Sequence, residues 1–225
     1  MEVFVLKREI RKKFAPAAAM LAAFVLWTLA VRNLDVSPIG PEGSSVGFAA
    51  INRYFHHLTG VHMGLYILTD WLSLLPLGCI LGFALLGLTQ WVRRRSLRRV
   101  DFSIFVLGGF YVLVLGAFVL FEIFPVNYRP VLIEGVLEAS YPSSTTLLVM
   151  CVMPTAAMQL RGRIPNPALR KSACAAITVF SLFMVAGRLV SGVHWLTDII
   201  GGGLLSAGLV LFYRAVCGLE NPCFC

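Results

Sequence analysis

Charged residues are scarce in this chain. Only 13% of its 225 residues are Asp, Glu, Lys or Arg, while 58% are hydrophobic. A soluble domain carries about 25% charged and ~45–50% apolar residues. The polar surface needed to solvate a globule is missing, which excludes an ordinary soluble enzyme, and a disordered chain is excluded by the same numbers. Cysteine is sparse as well: the six present are too few for a disulfide scaffold and show no metal-ligand spacing. Acidic residues number 11 against 19 basic ones, giving a net charge of +8. Internal repeats and low-complexity tracts are absent. What remains is a polytopic membrane protein organised as one domain over 1–225.

The few charges are spaced by membrane-sized gaps. Eighteen uncharged residues separate Lys13 from Arg32, 22 separate Asp70 from Arg93, 20 separate Asp101 from Glu122, and 22 separate Glu138 from Arg161. A helix needs about 20 apolar residues to cross hydrocarbon, so spans are expected near 14–31, 71–92, 102–124 and 143–160. Two shorter gaps become spans near 172–190 and 195–214 if Arg188 and Asp198 sit at helix ends within the bilayer boundary. Ionisable groups so placed point to function. The expected fold is all-α, a bundle of six transmembrane helices.

With the N-terminus inside, 15 of the 19 basic residues fall on cytoplasmic segments and only Arg32, Arg53, Arg129 and Arg188 fall outside. The positive-inside rule explains that imbalance, so the basic cluster Arg93–Arg99 reads as topology and no nucleic-acid partner is expected. Both termini are then cytoplasmic. The first helix is long for a signal peptide and lacks a convincing cleavage site, which makes it an uncleaved anchor. The outer loop 32–62 is expected to contain a short helix capped by Ser44 or Ser45. Phe48, Ile51, Phe55 and Leu58 recur there at near-helical spacing, as in a lid or an interfacial helix. Cys223 and Cys225 could carry palmitoyl groups or belong to a tail without function.

Three outer-face segments hold polar residues that packing explains poorly: Asn127-Tyr128-Arg129-Pro130, Tyr141-Pro142-Ser143-Ser144-Thr145, and Gly187-Arg188 with His194 and Asp198. His194 and Asp198 stand one helical turn apart, so the carboxylate can hold the imidazole in one tautomer and leave Nε2 as nucleophile or base. Arg129 and Arg188 are planar forks suited to a tetrahedral oxyanion. Ser143 and Ser144 open a helix, whose free N–H groups favour an anion. Together they describe a phosphate site with a histidine nucleophile.

These segments resemble the three motifs of the type 2 phosphatidic acid phosphatase superfamily, whose members are integral-membrane lipid phosphatases. That family's first motif is Lys, six residues, Arg-Pro; here it reads Glu122, six residues, Arg129-Pro130. Its second is Pro-Ser-Gly-His; here Pro142-Ser143-Ser144-Thr145. Its third is Ser-Arg, five residues, His, three residues, Asp; here Gly187-Arg188, His194 and Asp198 at those spacings. The likeness covers roughly 100–214. It implies a vanadium-haloperoxidase-like phosphatase core facing outward, with His194 forming a phosphohistidine and Asp198 orienting it. Arg129, Ser143, Ser144, Thr145 and Arg188 would bind the phosphate, and neither metal nor cofactor is implied.

Two positions depart from the pattern. Glu122 replaces the Lys, and Thr145 replaces the His that protonates the leaving group. A hydroxyl is too weak an acid for that task, and general acid catalysis contributes ~10²–10⁴-fold. A lipid diphosphate suffers less, because it expels a phosphate whose last pKa is about 6. A polyprenyl diphosphate or another lipid diphosphate therefore suits the site better than a phosphatidic acid. Alternatively a substitute acid stands in: Glu122, Glu138, or one of His56, His57 and His62. Further alternatives are a lipid-phosphate binder or transporter without turnover, and a lipid phosphotransferase.

Overall fold

The computed structural model describes residues 2–220, among which no strand forms and only isolated β-bridges pair short stretches. The helices in chain order are α1 (Glu2–Asn33), α2 (Ala49–Thr59), α3 (Met63–Leu72), α4 (Leu74–Arg94), α5 (Phe102–Ile123), α6 (Ser144–Arg163), α7 (Pro167–Val190) and α8 (Leu196–Glu220). Cys223 and Cys225 lie outside the described residues.

Five stretches are long and apolar enough to cross a membrane: Ile10–Asn33, Met63–Arg94, Phe102–Ile123, Pro167–Val190 and Leu196–Leu219. Helix α6 has 20 residues, which is span length at 1.5 Å per residue, but it falls short in apolarity. The expected six spans are thus met in helix length and not in composition. The reason is position. Helix α6 is enclosed by its neighbours and buries Thr145, Thr146, Thr155 and Gln159 along with its apolar residues. Its polar groups are satisfied by protein: Thr155 Oγ1 donates to the Cys151 carbonyl at 2.8 Å, and Gln159 Nε2 donates to the Ser103 carbonyl at 3.2 Å. Polar side chains inside a membrane bundle face protein partners in this way because hydrocarbon offers none.

The main core joins α1, α5, α6 and α8 through Phe24, Leu107, Phe110, Leu147, Leu209 and Tyr213. A second cluster, Val149, Met153 and Met184, seals α6 against α7. Helix α8 comes close to its neighbours through glycines. A Cβ on Gly201 would stand 2.5 Å from the Tyr141 ring, and one on Gly208 would stand 2.7 Å from Leu21. Gly201→Ala should therefore destabilise by about 1–3 kcal/mol, although alanine is the better helix former. Thermal unfolding in detergent checks this. Gly108→Ala, which meets nothing within 4 Å, is the control expected to unfold no earlier than the native protein.

Two expectations for the loop and second span need correction. The second span does not begin at residue 71: the apolar stretch runs from Met63 to Arg94, with α3 and α4 meeting at Ser73. Asp70 lies inside that stretch and ends no helix, because its charge is paired with Arg188 at 3.2 Å. Helix α2 is capped by Phe48 in a left-handed conformation rather than by Ser44 or Ser45. Its inward face is also not the apolar one. Asn52 is fully buried and donates to the Gly47 carbonyl at 2.8 Å and to Thr197 Oγ1 at 3.0 Å, while Ile51, Tyr54 and Leu58 are exposed. The exposed apolar face is the reverse of a lid packed on the bundle by its apolar stripe and agrees with the interfacial alternative.

The two ends of the bundle differ in chemistry. At one end Lys13 Nζ donates to the Gly218 carbonyl at 2.6 Å, and Asp101 is paired with Arg94 at 2.9 Å and Arg163 at 3.6 Å. The opposite end gathers the starts of α6 and α8, the end of α7, helix α3 and the loop after α5. There the three polar segments converge.

Candidate active site

His194 stands in the tight turn between α7 and α8. Gly192 makes that turn possible: its φ is +69°, and a Cβ there would lie 1.9 Å from the Gly60 carbonyl oxygen. The Ser191 carbonyl accepts from the His62 amide at 2.9 Å, tying the turn to the start of α3. In the first turn of α8, Asp198 is fully buried. Its Oδ2 accepts from Ser140 Oγ at 2.7 Å and from the Trp195 amide at 2.9 Å, and its Oδ1 accepts from Asn127 Nδ2 at 3.4 Å. Three donors hold the carboxylate still. His194 Nδ1 lies 3.7 Å from Oδ2, within ion-pair distance but beyond a hydrogen bond.

Arg129 decides the tautomer. Its guanidinium lies 3.4 Å from His194 Nε2 and can only donate. Nε2 therefore presents its lone pair and Nδ1 carries the proton, directed to the Asp198 side. Burial lowers the His194 pKa to about 4; the nearby Asp198 raises it, while Arg129 and Arg188 lower it further. At neutral pH the imidazole is uncharged.

The loop carrying Arg129 is held by Trp195, whose indole donates to the Tyr128 carbonyl at 2.7 Å, and by the Arg129 amide, which donates to the Glu138 carbonyl at 3.0 Å. The Glu138 carboxylate also sits 2.9 Å from Arg129 Nε, too bent to form a hydrogen bond. Arg188 approaches from α7. It donates to Thr145 Oγ1, to Asp70 Oδ1 at 3.2 Å and to Thr69 Oγ1 at 3.4 Å. Both guanidinium groups lie over the Tyr66 ring, Arg188 at 4.9 Å and Arg129 at 5.8 Å from its centroid. Thr69 also accounts for glycine at 187, where a Cβ would stand 2.8 Å from its methyl group.

Ser143 caps α6: its Oγ accepts from the Thr146 amide and hydroxyl, and its own amide donates to the Asp198 carbonyl at 3.1 Å. Ser144 and Thr145 follow in the first turn, where amides have no helical partner. Both line a cavity of about 1020 Å³ that also touches Asp70, Arg129 and Arg188. From there it runs between α4 and α5 past Leu77, Phe83 and Gly108 to Trp91 and Val100. Its walls are mainly apolar. His194 is not among the lining residues; Arg129 lies between.

The structure thus brings together His194, Asp198, Arg129, Ser143, Ser144, Thr145 and Arg188, with Glu138 behind Arg129. It does not bring in Glu122, which is exposed on the last turn of α5 and makes no ion pair with a described residue. The substitution of an acid for a base there lies outside the cluster. Of the three histidines of the first loop, His56 packs against the Trp195 ring at 5.5 Å, and His62 Nε2 contacts the Thr59 carbonyl at 2.9 Å. Reasoning from sequence missed Tyr66, Thr69 and Asp70 on α3 and Ser140 beside Asp198. Asp70 alone carried a signal, as a lone acid at the edge of an apolar run. No group of three or more His, Cys, Asp or Glu among the described residues could hold a metal.

The sequence pattern described as the PAP2 superfamily matches residues 117–219, the stretch that carries all three polar segments. The resemblance to that superfamily is real. The fold agrees with it across nearly the whole chain: a crystal structure of a transmembrane PAP2-type phosphatidylglycerolphosphate phosphatase from Bacillus subtilis superposes with a TM-score of 0.59. The two share 18% sequence identity over 91% of this chain and 96% of that one. No curated protein matches the sequence. The likeness in fold therefore extends beyond the matched segment into the helices that precede it.

Proposed function

We propose that this PAP2-like protein is a membrane lipid phosphatase that hydrolyses lipid phosphates or diphosphates through a phosphohistidine on His194. The observation that carries the reading is a neutral histidine whose Nε2 lone pair faces the Arg129 guanidinium at 3.4 Å, with Arg188 on the same cavity. Arg129 Nε, Arg188 Nε and His194 Nδ1 are buried without hydrogen-bond partners, and an arriving phosphate supplies acceptors for the two arginines. A mere binder has no use for an unprotonated Nε2. The long apolar cavity that starts at Arg129, Thr145 and Arg188 suits a substrate with one anionic end and a hydrocarbon chain.

The chemistry follows from these placements. Phosphate oxygens take the N–H groups of Arg188, Arg129 and the first turn of α6, drawing Arg129 away from Nε2. Nε2 attacks phosphorus, and the Nδ1 proton moves under the influence of the Asp198 carboxylate as positive charge develops on the ring. Positioning and charge stabilisation supply most of the acceleration. Because Thr145 cannot protonate a leaving alkoxide, a lipid diphosphate such as a polyprenyl diphosphate is the better substrate. The site end of the bundle lies opposite the basic end, which under positive-inside orientation supports a site on the outer face and termini in the cytoplasm.

The test is phosphate release by the purified protein from matched polyprenyl mono- and diphosphates. Faster release from the monophosphate would overturn the substrate preference, and no release from either would overturn the enzyme reading. The pH profile supplies a second check. Since the folded pKa of His194 is about 4, the nucleophile stays unprotonated as pH falls from 7 to 5. Phosphoenzyme formation from the diphosphate should persist there and fail only as pH approaches about 4. A histidine of ordinary pKa would lose it near 6.5.

A further inference from the structure

A lipid monophosphate expels an alkoxide, which needs a proton at the ester oxygen. Neither Thr145 nor the two arginines can provide one at neutral pH. Asp70 lies where that proton is used. Its Oδ1 is 3.2 Å from Arg188 Nη2, and the same nitrogen donates to Thr145 Oγ1. Carboxylate and threonine hydroxyl thus flank a single nitrogen. Asp70 is the only carboxylate among the described residues lining the cavity, and its side chain is 58% exposed. Asp198 is enclosed by three donors, and Glu138 lies behind Arg129, off the lining. Below Asp70 the apolar wall continues along α4 through Ser73, Leu77 and Ile80. A hydrocarbon chain that follows this wall would leave the phosphorus with its ester oxygen on the Asp70 side.

We propose that Asp70 relays the proton that departs with the lipid alcohol. The singly ionised monophosphate brings that proton on a non-bridging oxygen. When phosphate oxygens take Arg188, the freed Asp70 carboxylate accepts the proton from the P–OH group. Nε2 of His194 then forms its bond to phosphorus while the P–O ester bond breaks. The ester oxygen keeps the bonding pair and takes the proton from Asp70, leaving as the alcohol. In the second half, water attacks phosphorus, the P–N bond breaks and its electron pair returns to Nε2. The proton lost by water passes directly to a phosphate oxygen, a step common to both substrates that does not involve Asp70. Charged or titratable groups facing Asp70 are Arg188 on α7, Arg129 across the cavity and Tyr66 one turn earlier on α3. A diphosphate does not need the relay, because its leaving phosphate departs unprotonated. Asp70 thus sets how far monophosphates lag behind diphosphates.

This assignment rests on the phosphohistidine reading, and the experiment separates the two. Full-length wild type, Asp70→Asn, Asp70→Glu and His194→Ala are assayed on polyprenyl monophosphate and the matching diphosphate. Asp70→Asn should lower kcat on the monophosphate by ~10²-fold or more and change kcat on the diphosphate by less than about tenfold. Asp70→Glu should recover part of the monophosphate rate. Wild-type turnover of the monophosphate should fall above pH ~6, as the substrate loses its own proton. Retained diphosphate turnover shows that the variants are folded. Equal losses on both substrates would mean that Asp70 only holds Arg188 in place, overturning the relay while leaving the phosphatase intact. If wild type releases no phosphate, or if His194→Ala still does, the underlying reading fails and the relay falls with it.

Discussion

His194→Ala should abolish phosphate release, with a loss of about 10³–10⁶-fold, and should leave no acid-labile phosphoenzyme in quenched reactions. No other group at the site can take its place. Asp198 is fully buried under Ser140, Asn127 and the Trp195 amide, and Ser143 Oγ is engaged in capping α6. Losses of this size are seen when a covalent nucleophile is removed, the residual rate reflecting binding and charge stabilisation alone. Replacement by alanine also removes a buried ring beside Arg129, so thermal unfolding should be measured alongside. A variant that keeps wild-type unfolding but loses turnover identifies the nucleophile. Turnover within tenfold of wild type would rule it out.

Arg188→Lys should lower kcat/KM by about 10²–10³-fold, the scale of losing one preorganised donor to a developing oxyanion. The guanidinium serves several partners at once. It donates to Thr145, Asp70 and Thr69 and rests on the Tyr66 ring. An ammonium cannot reproduce that fork or its stacking. The side chain is almost fully buried, 2% exposed, so the loss should appear in stability as well, as a lower unfolding temperature. Arg129→Lys should do less harm to stability, because the Arg129 loop is also held by the Trp195 indole and the Glu138 carbonyl. Parallel kinetics and unfolding curves of the two variants check the contrast. Equal unfolding temperatures would show that Arg188 contributes only to phosphate binding.

Much of the architecture was legible without coordinates because a membrane imposes a one-dimensional rule: charge is excluded over about 20 residues at a time. That rule located α1, α5, α7 and α8 closely. It fails at α3, where Asp70 reads as a boundary yet lies within the apolar stretch Met63–Arg94. Its partner Arg188 is 118 positions away, and no local pattern announces such pairing. The rule also treated α6 as an ordinary span, whereas α6 is the enclosed helix whose threonines and glutamine bond to neighbouring helices.

For the site, local spacing was enough to single out His194 with Asp198, because one helical turn is itself a distance. Arg129, Thr145 and Arg188 were recognisable from the motifs. The departures at Glu122 and Thr145 could be read, and a missing acid inferred at Thr145, but not what surrounds either residue. Only the structure shows that Glu122 stands outside the cluster and that Thr145 accepts from Arg188 beside a carboxylate from α3.

The sequence by itself determined the solvent, the helical class and the linear order of the candidate-site residues, since hydrophobic run length and i to i+4 spacing are local quantities. Tertiary structure alone decided which carboxylates meet which arginines, the tautomer of His194 and the apolar cavity beside them. Those depend on side chains brought within hydrogen-bond reach from helices far apart in the chain, and scarce charge in an apolar bundle makes each such pairing decisive.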